Sequence, residues 1–375
     1  MGAYRTVSGR VLLGVSVAAV VCLVAVQRSR VIQHSPYYSE KLRASRTAML
    51  AQQAIRDQRL PQGLVIDLVN DPNATGMIGQ EYTVITTDRG VLRAKLTSTN
   101  PNFAAAFVDM LGRAGLKPGD VIAVSLTGSL PCLNIALLAA AETMELRPIT
   151  ISSVGSSTWG ANDPEFTWLD MEELLLRKGI IRTKSIAASI GGGEDRGRGL
   201  SRRGRRFIEE AIARNGVEVI NERTLEASIR HRMELYSRAA GDRPIRAAVN
   251  IGGGVASLGA SINGRLVPSG LSMTLARRNF PMKGSTLQLA ERGIPIIHIL
   301  QVERLARHYG LPIPPGPDPE IGVGPIYFTE RLNTGIAAFL LFLLSLVLLV
   351  TIRVDLAHSL LRKTRREPSP HGGMP

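Results

Sequence analysis

Cysteine is almost absent from this 375-residue chain. Cys22 and Cys132 are the only two, which excludes a disulfide framework and a cysteine-rich zinc site. Aromatic residues make up 5%, too few for a platform on which single-stranded nucleic acid would stack. No His/Glu pair stands at HExxH spacing, so no dedicated metal site is expected. No GxxxxGK[ST] phosphate loop occurs. GGGVASLG at 252–259 misses GxGxxG because Ser257 stands where the last glycine should be. No GxSxG nucleophile elbow is present either. These absences leave no cofactor to expect, and no long internal repeat is found.

What is present is an ordinary globular composition with 45% apolar and 20% charged residues, which excludes a disordered or collagenous chain. Lysine and arginine outnumber the acids 45 to 31, a net charge of +14. Two uncharged runs bound the chain, Val11–Val26 and Gly335–Ile352. A span needs about 20 mostly apolar residues, with about 17 the lower limit. The second run reads as a span. The first reads as an uncleaved anchor, or alternatively as a signal peptide whose small-residue cleavage site is missing around Ala25–Arg28. The tail carries Arg353, Arg362, Lys363, Arg365 and Arg366, which favours a cytoplasmic C-terminus. Two spans place both ends on that side and the middle of the chain outside. With residues 1–10 (+2) and 353–375 (+3) set aside, the rest carries +9. Such a basic excess suits anionic lipid, an acidic polymer or nucleic acid, and an outside location makes nucleic acid the least expected.

The organisation expected is a cytoplasmic start (1–10), a transmembrane helix (11–27) and a juxtamembrane segment with a helix (28–60). An α/β domain (61–311), a Pro-rich linker (312–334), a transmembrane helix (335–352) and a basic tail (353–375) follow. Strands are expected at 64–69, 83–86, 121–126, 148–154, 184–190, at VEVIN, at 245–251 and at 294–300. Between them run helical patterns, for example Leu225, Ile229, Met233 and Tyr236. Alternating apolar strands and helices predict a mostly parallel sheet covered by helices on both faces.

Four of the strands run into small residues: Thr127-Gly128-Ser129, Gly155-Ser156-Ser157, Gly191-Gly192-Gly193-Glu194-Asp195 and Gly252-Gly253-Gly254 with Ser257 beyond. Ligands of open α/β sheets bind beyond the carboxyl ends of strands, where glycine lets backbone N–H groups approach an anion. Close packing at tight turns is the alternative for any one glycine run. Together the four ends predict one shared ligand site. Six arginines, Arg196, Arg198, Arg202, Arg203, Arg205 and Arg206, fall within 11 residues. Guanidinium forks pair with carboxylates or phosphates, so the run is a candidate polyanion surface; otherwise it is a solvated loop before a helix starting at Phe207. Catalytic candidates are Ser125, Ser129, Ser257 and His298, with Asp163, Asp170, Glu194 and Asp195 as carboxylates. A triad is a matter of geometry, and a lone histidine inside an apolar strand, as His298 is, is more often a core residue. Trp159 and Trp168 could line a site or sit in the core.

SLTGSLPCLNIALLAAA, ITISSVGSSTWGAN, SIGGGEDRGRGLS, NIGGGVASLG and IPIIHIL, set between two terminal apolar runs, resemble the bacterial poly-gamma-glutamate system protein family. The resemblance covers about residues 35–330 and rests on glycine and serine segments, not on a catalytic motif. It implies a place in poly-gamma-glutamate synthesis and export at the cell envelope, beside an ATP-using amide ligase and small membrane proteins. It implies no activity for this component. The expectation is a membrane-anchored accessory protein that guides the anionic polymer or scaffolds the synthase subunits. The alternative is an enzyme acting on γ-glutamyl amide bonds through a strand-end serine or carboxylate.

Overall fold

The computed structural model describes residues 9–276, 278–314 and 320–364. It divides into two units, residues 35–327 and the paired chain ends. The unit 35–327 is built on a seven-stranded sheet. Its strands are β1 (Val121–Thr127), β2 (Arg147–Ser153), β3 (Ala187–Ser189), β4 (Glu218–Ile220), β5 (Ile245–Ile251), β6 (Gly270–Ser272) and β7 (Ile296–Ile299). The order across the sheet is β6-β7-β5-β1-β2-β3-β4. All neighbours are parallel except β6, which runs antiparallel to β7 at one edge. The mostly parallel α/β expectation is met.

The sequence pattern explains the layering. All seven residues of β1, VIAVSLT, are buried, as a central parallel strand covered on both faces requires. Val121 and Ala123 face a core that holds Leu235 and Tyr236 from the helix Leu225–Ala240. Ser125 follows on the same face and meets Tyr236 Oη at 3.0 Å. The helix Pro131–Thr143, which leaves β1, is buried along nearly its whole length. The helix Trp168–Arg177 starts at a capping box in which Thr167 and Asp170 satisfy each other's backbone N–H groups.

Three readings of the sequence are corrected. Residues 64–69 form no strand. Asp67 Oδ1 accepts the N–H of Val69 at 3.0 Å, and Asp71 N–H bonds back to Asp67 O at 2.7 Å. This local turn uses the groups that a ladder would need, and it leaves Val65 and Val69 exposed. The strand expected at 83–86 is displaced to Thr86–Asp88, where it pairs in parallel with Ser156–Ser157 outside the main sheet. The arginine run is not one loop. Ser201 Oγ accepts the N–H of Gly204 at 3.0 Å and caps a helix that begins at Arg202. Arg202, Arg203, Arg205 and Arg206 therefore lie on its first turns, leaving only Arg196 and Arg198 in the loop before it.

The chain-end unit holds the helices Gly9–Arg28 and Thr334–Thr364, and an antiparallel ribbon of Arg30–His34 with Phe328–Leu332. Neither strand is expected from the sequence, because each is short, exposed and paired only with a partner some 300 residues away in the chain. Thr334–Val354 is long and apolar enough to cross a membrane, and its apolar surface is uncovered. The apolar part of the first helix, Leu12–Arg28, is shorter than that measure. Of the Pro-rich linker, residues 315–319 lie outside the described part, as do residues 1–8 and 365–375 at the ends.

Candidate functional site

The chain builds β1 first, moves outward through β2, β3 and β4, then returns to place β5 on the other side of β1. Sequential neighbours diverge at β1 and β5, so the segments leaving them part and open a crevice at the carboxyl ends of the strands. A cleft of about 630 Å³ lies there. Its wall receives Thr127 and Ser129 after β1, Ser153, Gly155 and Ser157 after β2, Gly192 and Gly193 after β3, and Gly252–Gly254 after β5. Both Ile-Gly-Gly-Gly segments therefore stand on the same edge of one sheet.

The turn after β5 depends on glycine. Gly252 has φ +94°, and a Cβ there would collide with Thr127 Oγ1. Its N–H donates to Ile299 O at 2.8 Å, which ties the turn to β7. Gly253 and Gly254 N–H find no acceptor among the described residues. Thr127 Oγ1 is buried without a hydrogen-bond partner. Free donors at an open strand end are suited to a ligand's oxygen atoms.

The turn after β3 is held from below. Asp195 and Arg232 form a buried ion pair at 3.0 Å, both side chains almost completely covered. Asp195 also accepts from Ser189 Oγ at 2.7 Å and Ser228 Oγ at 2.6 Å. Arg232 donates to Ser189 Oγ at 2.6 Å and to Ser153 Oγ at 3.2 Å. Glu194 and Asp195 both take positive φ, 55° and 60°. The pair fixes this strained corner beneath Gly192 and Gly193.

The charged wall comes from elsewhere. The segment Thr87–Val91 supplies Asp88 and Arg89, Arg198 comes from the loop after β3, and Arg265 from the short helix Asn263–Leu266. Lys95, on the helix Leu92–Ser98, also lines the cleft and is only 4% exposed. Its Nζ donates to Ser129 O and lies 2.8 Å from Ser157 Oγ. Burial pushes its pKa down from 10.5 to about 7. Arg89 and Arg265 are exposed and make no ion pair among the described residues. Arg198 pairs with Glu194 at 2.6 Å on the outer surface.

Several candidates lie outside the cleft wall. His298 is fully buried in β7: Nδ1 accepts from Asn250 Nδ2 at 3.0 Å and Nε2 donates to Gly264 O at 3.3 Å. Burial pushes its pKa down to about 4, so it is a neutral core residue with both nitrogens satisfied. Ser257 closes its own turn by donating to Gly254 O, and Ser125 is bonded to Tyr236. Asp195 is engaged with Arg232 beneath the turn rather than presented to the cleft. Asp163 pairs with Arg59, and Asp170 caps a helix and binds Arg214. Trp168 is core, its Nε1 donating to Ser152 Oγ at 3.2 Å, and Trp159 does not line the cleft. Gly191 supports its turn through its carbonyl, which accepts from Gly197 N–H at 2.7 Å. Among the six arginines only Arg198 reaches the cleft. Arg196 donates to Arg223 O, Arg205 to Leu200 O, and Arg203 stacks over Phe207.

Lys95, Arg89, Arg265 and Arg232 are not singled out by the sequence reading. Arg232 does carry a signal, since Ile229, Arg232 and Tyr236 fall at i, i+3 and i+7 on one helical face, which places a charge on a core stripe. Lys95, Arg89 and Arg265 carry none, because short polar segments far apart in the chain become neighbours only through the fold.

No family model matches the chain, and no curated protein matches it. One solved structure with some likeness is the crystal structure of O-ureido-L-serine synthase, at 15% identity over 59% of this chain and 70% of that one, with a TM-score of 0.16. A likeness at that score carries no argument about this chain.

Proposed function

We propose that the protein is a membrane-anchored accessory component of poly-gamma-glutamate production whose cleft holds a carboxylate of the anionic polymer. The observation that carries this reading is the charge of the wall: Arg89 and Arg265, with no ion-pair partner among the described residues, against Asp88, around glycine turns with free N–H donors. The glycine and serine segments that resemble the poly-gamma-glutamate system family are the ones that build these turns, which supports the same process. The remaining exposed arginines, Arg196, Arg202, Arg203 and Arg206, extend the basic surface for a longer chain.

Binding of labelled poly-gamma-glutamate to the full chain in detergent tests it. Each exposed charge contributes about 0–1 kcal/mol, so Arg89→Gln with Arg265→Gln should weaken binding roughly 5- to 10-fold. Raising salt from about 0.1 to 1 M should weaken it further, as the screening length falls from about 10 to 3 Å. Unchanged affinity in the double variant at low salt removes the cleft from the reading.

The anchor is proposed to be double, with both ends cytoplasmic and residues 35–327 outside. The antiparallel ribbon supports two spans with both ends on one side, because it sets the first helix to run against Thr334–Thr364 in the opposite direction, and the basic tail supports the cytoplasmic side. A cysteine placed at exposed Ser237 should react with an impermeant thiol reagent in intact cells. Reaction only after lysis reverses the orientation. The rival reading, an enzyme, is favoured by one feature of the wall, the buried Lys95.

A further inference from the structure

Two of the described lysines are buried, and their surroundings differ. Lys41 has the Asp109 carboxylate at 3.1 Å, with Ser35 Oγ and Ile326 O completing its shell. Lys95 has no carboxylate within ion-pair distance among the described residues. Its two partners, Ser129 O and Ser157 Oγ, are neutral. A buried ammonium without a counter-charge loses its hydration with no compensating attraction, so the free amine is favoured. Burial pushes its pKa to about 7. A desolvated amine carries an available lone pair, which is how lysine becomes a nucleophile toward carbonyl carbon. Gly253, Gly254 and Arg265 line the same cleft, and the two glycine N–H groups have no acceptor among the described residues, a seat for a negative group.

We propose that Lys95 captures the carbonyl carbon of a small anionic aldehyde or ketone as an imine. Lys95 Nζ attacks the carbonyl carbon and an N–C bond forms. The carbonyl π pair moves to oxygen, which takes a proton and gives a carbinolamine. The hydroxyl takes one further proton and leaves as water while the nitrogen lone pair forms the C=N bond, and loss of the single proton still on nitrogen gives the neutral imine and restores the proton taken up. No oxidant or reductant enters, and hydrolysis reverses the step. Ser157 Oγ, 2.8 Å from Nζ, is placed to relay the proton between nitrogen and oxygen. Only the seat of the negative group is shared with the anion-binding reading; the amine is a separate feature of the wall.

The test treats the full chain in detergent with glyoxylate and cyanoborohydride at pH 7, then locates carboxymethyl-lysine by peptide mass spectrometry. Lys117 and Lys178 are exposed and serve as internal references. An ordinary lysine at pH 7 is free amine in only about one part in 10³ to 10⁴, so Lys95 should be labelled on the order of 100-fold faster. Its rate should saturate with glyoxylate and reach half its maximum near pH 7. Acetaldehyde, without the carboxylate, should label it at least about 10-fold more slowly at equal concentration, the loss of a charge-assisted contact. Lys95→Met should lose this labelling, while Lys117 and Lys178 keep theirs. Equal labelling of Lys95, Lys117 and Lys178, or a rate linear in glyoxylate, overturns the inference. Polymer binding without labelling sinks the imine alone, whereas labelling without polymer binding sinks only the polymer reading.

Discussion

Asp195→Ala should destabilise the chain by about 3–5 kcal/mol, because it leaves the Arg232 guanidinium buried with no counter-charge. Arg232 is 1% exposed, and among the described residues its partners besides Asp195 are serine hydroxyls. The same substitution strands Ser189 and Ser228, whose hydroxyls donate to Asp195 at 2.7 and 2.6 Å. Arg232→Met should cost a similar amount by leaving the carboxylate alone. The double variant should be more stable than either single one, since removing both members of a buried pair removes both uncompensated charges. Chemical denaturation of the full chain in detergent measures this. If Asp195→Ala does not fold, the comparison of Arg232→Met with the double variant carries the same test. A single-variant loss below about 1 kcal/mol would mean that water reaches the pair. The functional consequence lies one layer up, because the pair holds the positive-φ corner under Gly192 and Gly193.

A second large effect concerns pH. Glu172 is fully buried, its two oxygens accepting from Ser185 N–H and Ser185 Oγ, both at 2.9 Å. Burial pushes its pKa from 4.5 up to about 7 against the pull of those hydrogen bonds. The folded chain therefore keeps a proton there that the unfolded chain releases. Glu172's contribution is complete below pH 4.5 and is lost as pH rises to about 7. His298 acts in the opposite sense. Its folded pKa of about 4 lies below the ordinary 6.5, so its contribution is complete above 6.5 and is lost as pH falls to about 4. Between pH 4.5 and 6.5 the two slopes oppose each other, and the parent chain should show little net dependence from this pair. Glu172→Gln should uncover the His298 slope. Relative to parent, its stability should rise by about 3 kcal/mol from pH 4.5 to 7, because a tenfold change in proton affinity between folded and unfolded chain corresponds to about 1.4 kcal/mol. Denaturant unfolding at half-unit pH steps reads the difference, in which all other groups cancel. Parallel profiles for variant and parent would show that Glu172 ionises in the fold.

The elements legible in the sequence are those whose periodicity is dictated by a buried neighbour on every side. β1, β2 and β5 are apolar runs between turn residues, and they stand within a residue of where their pattern places them. The glycine turns after β3 and β5 are legible too, because positive φ and close approach leave little choice of residue. LVIDLV at 64–69 misleads for the converse reason. It has strand composition, but Asp67 takes backbone donors that pairing would use, and among the described residues no strand pairs with it. The arginine run misleads because its charge masks a local signal, the capping geometry of Ser201 with Gly204.

By itself, the sequence determined the class of the sheet, the glycine character of its carboxyl edge and the apolar helix at the C-terminal end. Each follows from local chemistry: burial of branched side chains, backbone freedom at a turn, and an uncharged run long enough to span. Tertiary structure alone decided which strand ends share a cleft, because strand order depends on where the chain reverses between β4 and β5. It also decided the state of the charged groups. Lys95, Lys41 and Arg232 are ordinary cations in a sequence. Burial desolvates all three, and only the fold gives Lys41 and Arg232 a carboxylate while leaving Lys95 without one.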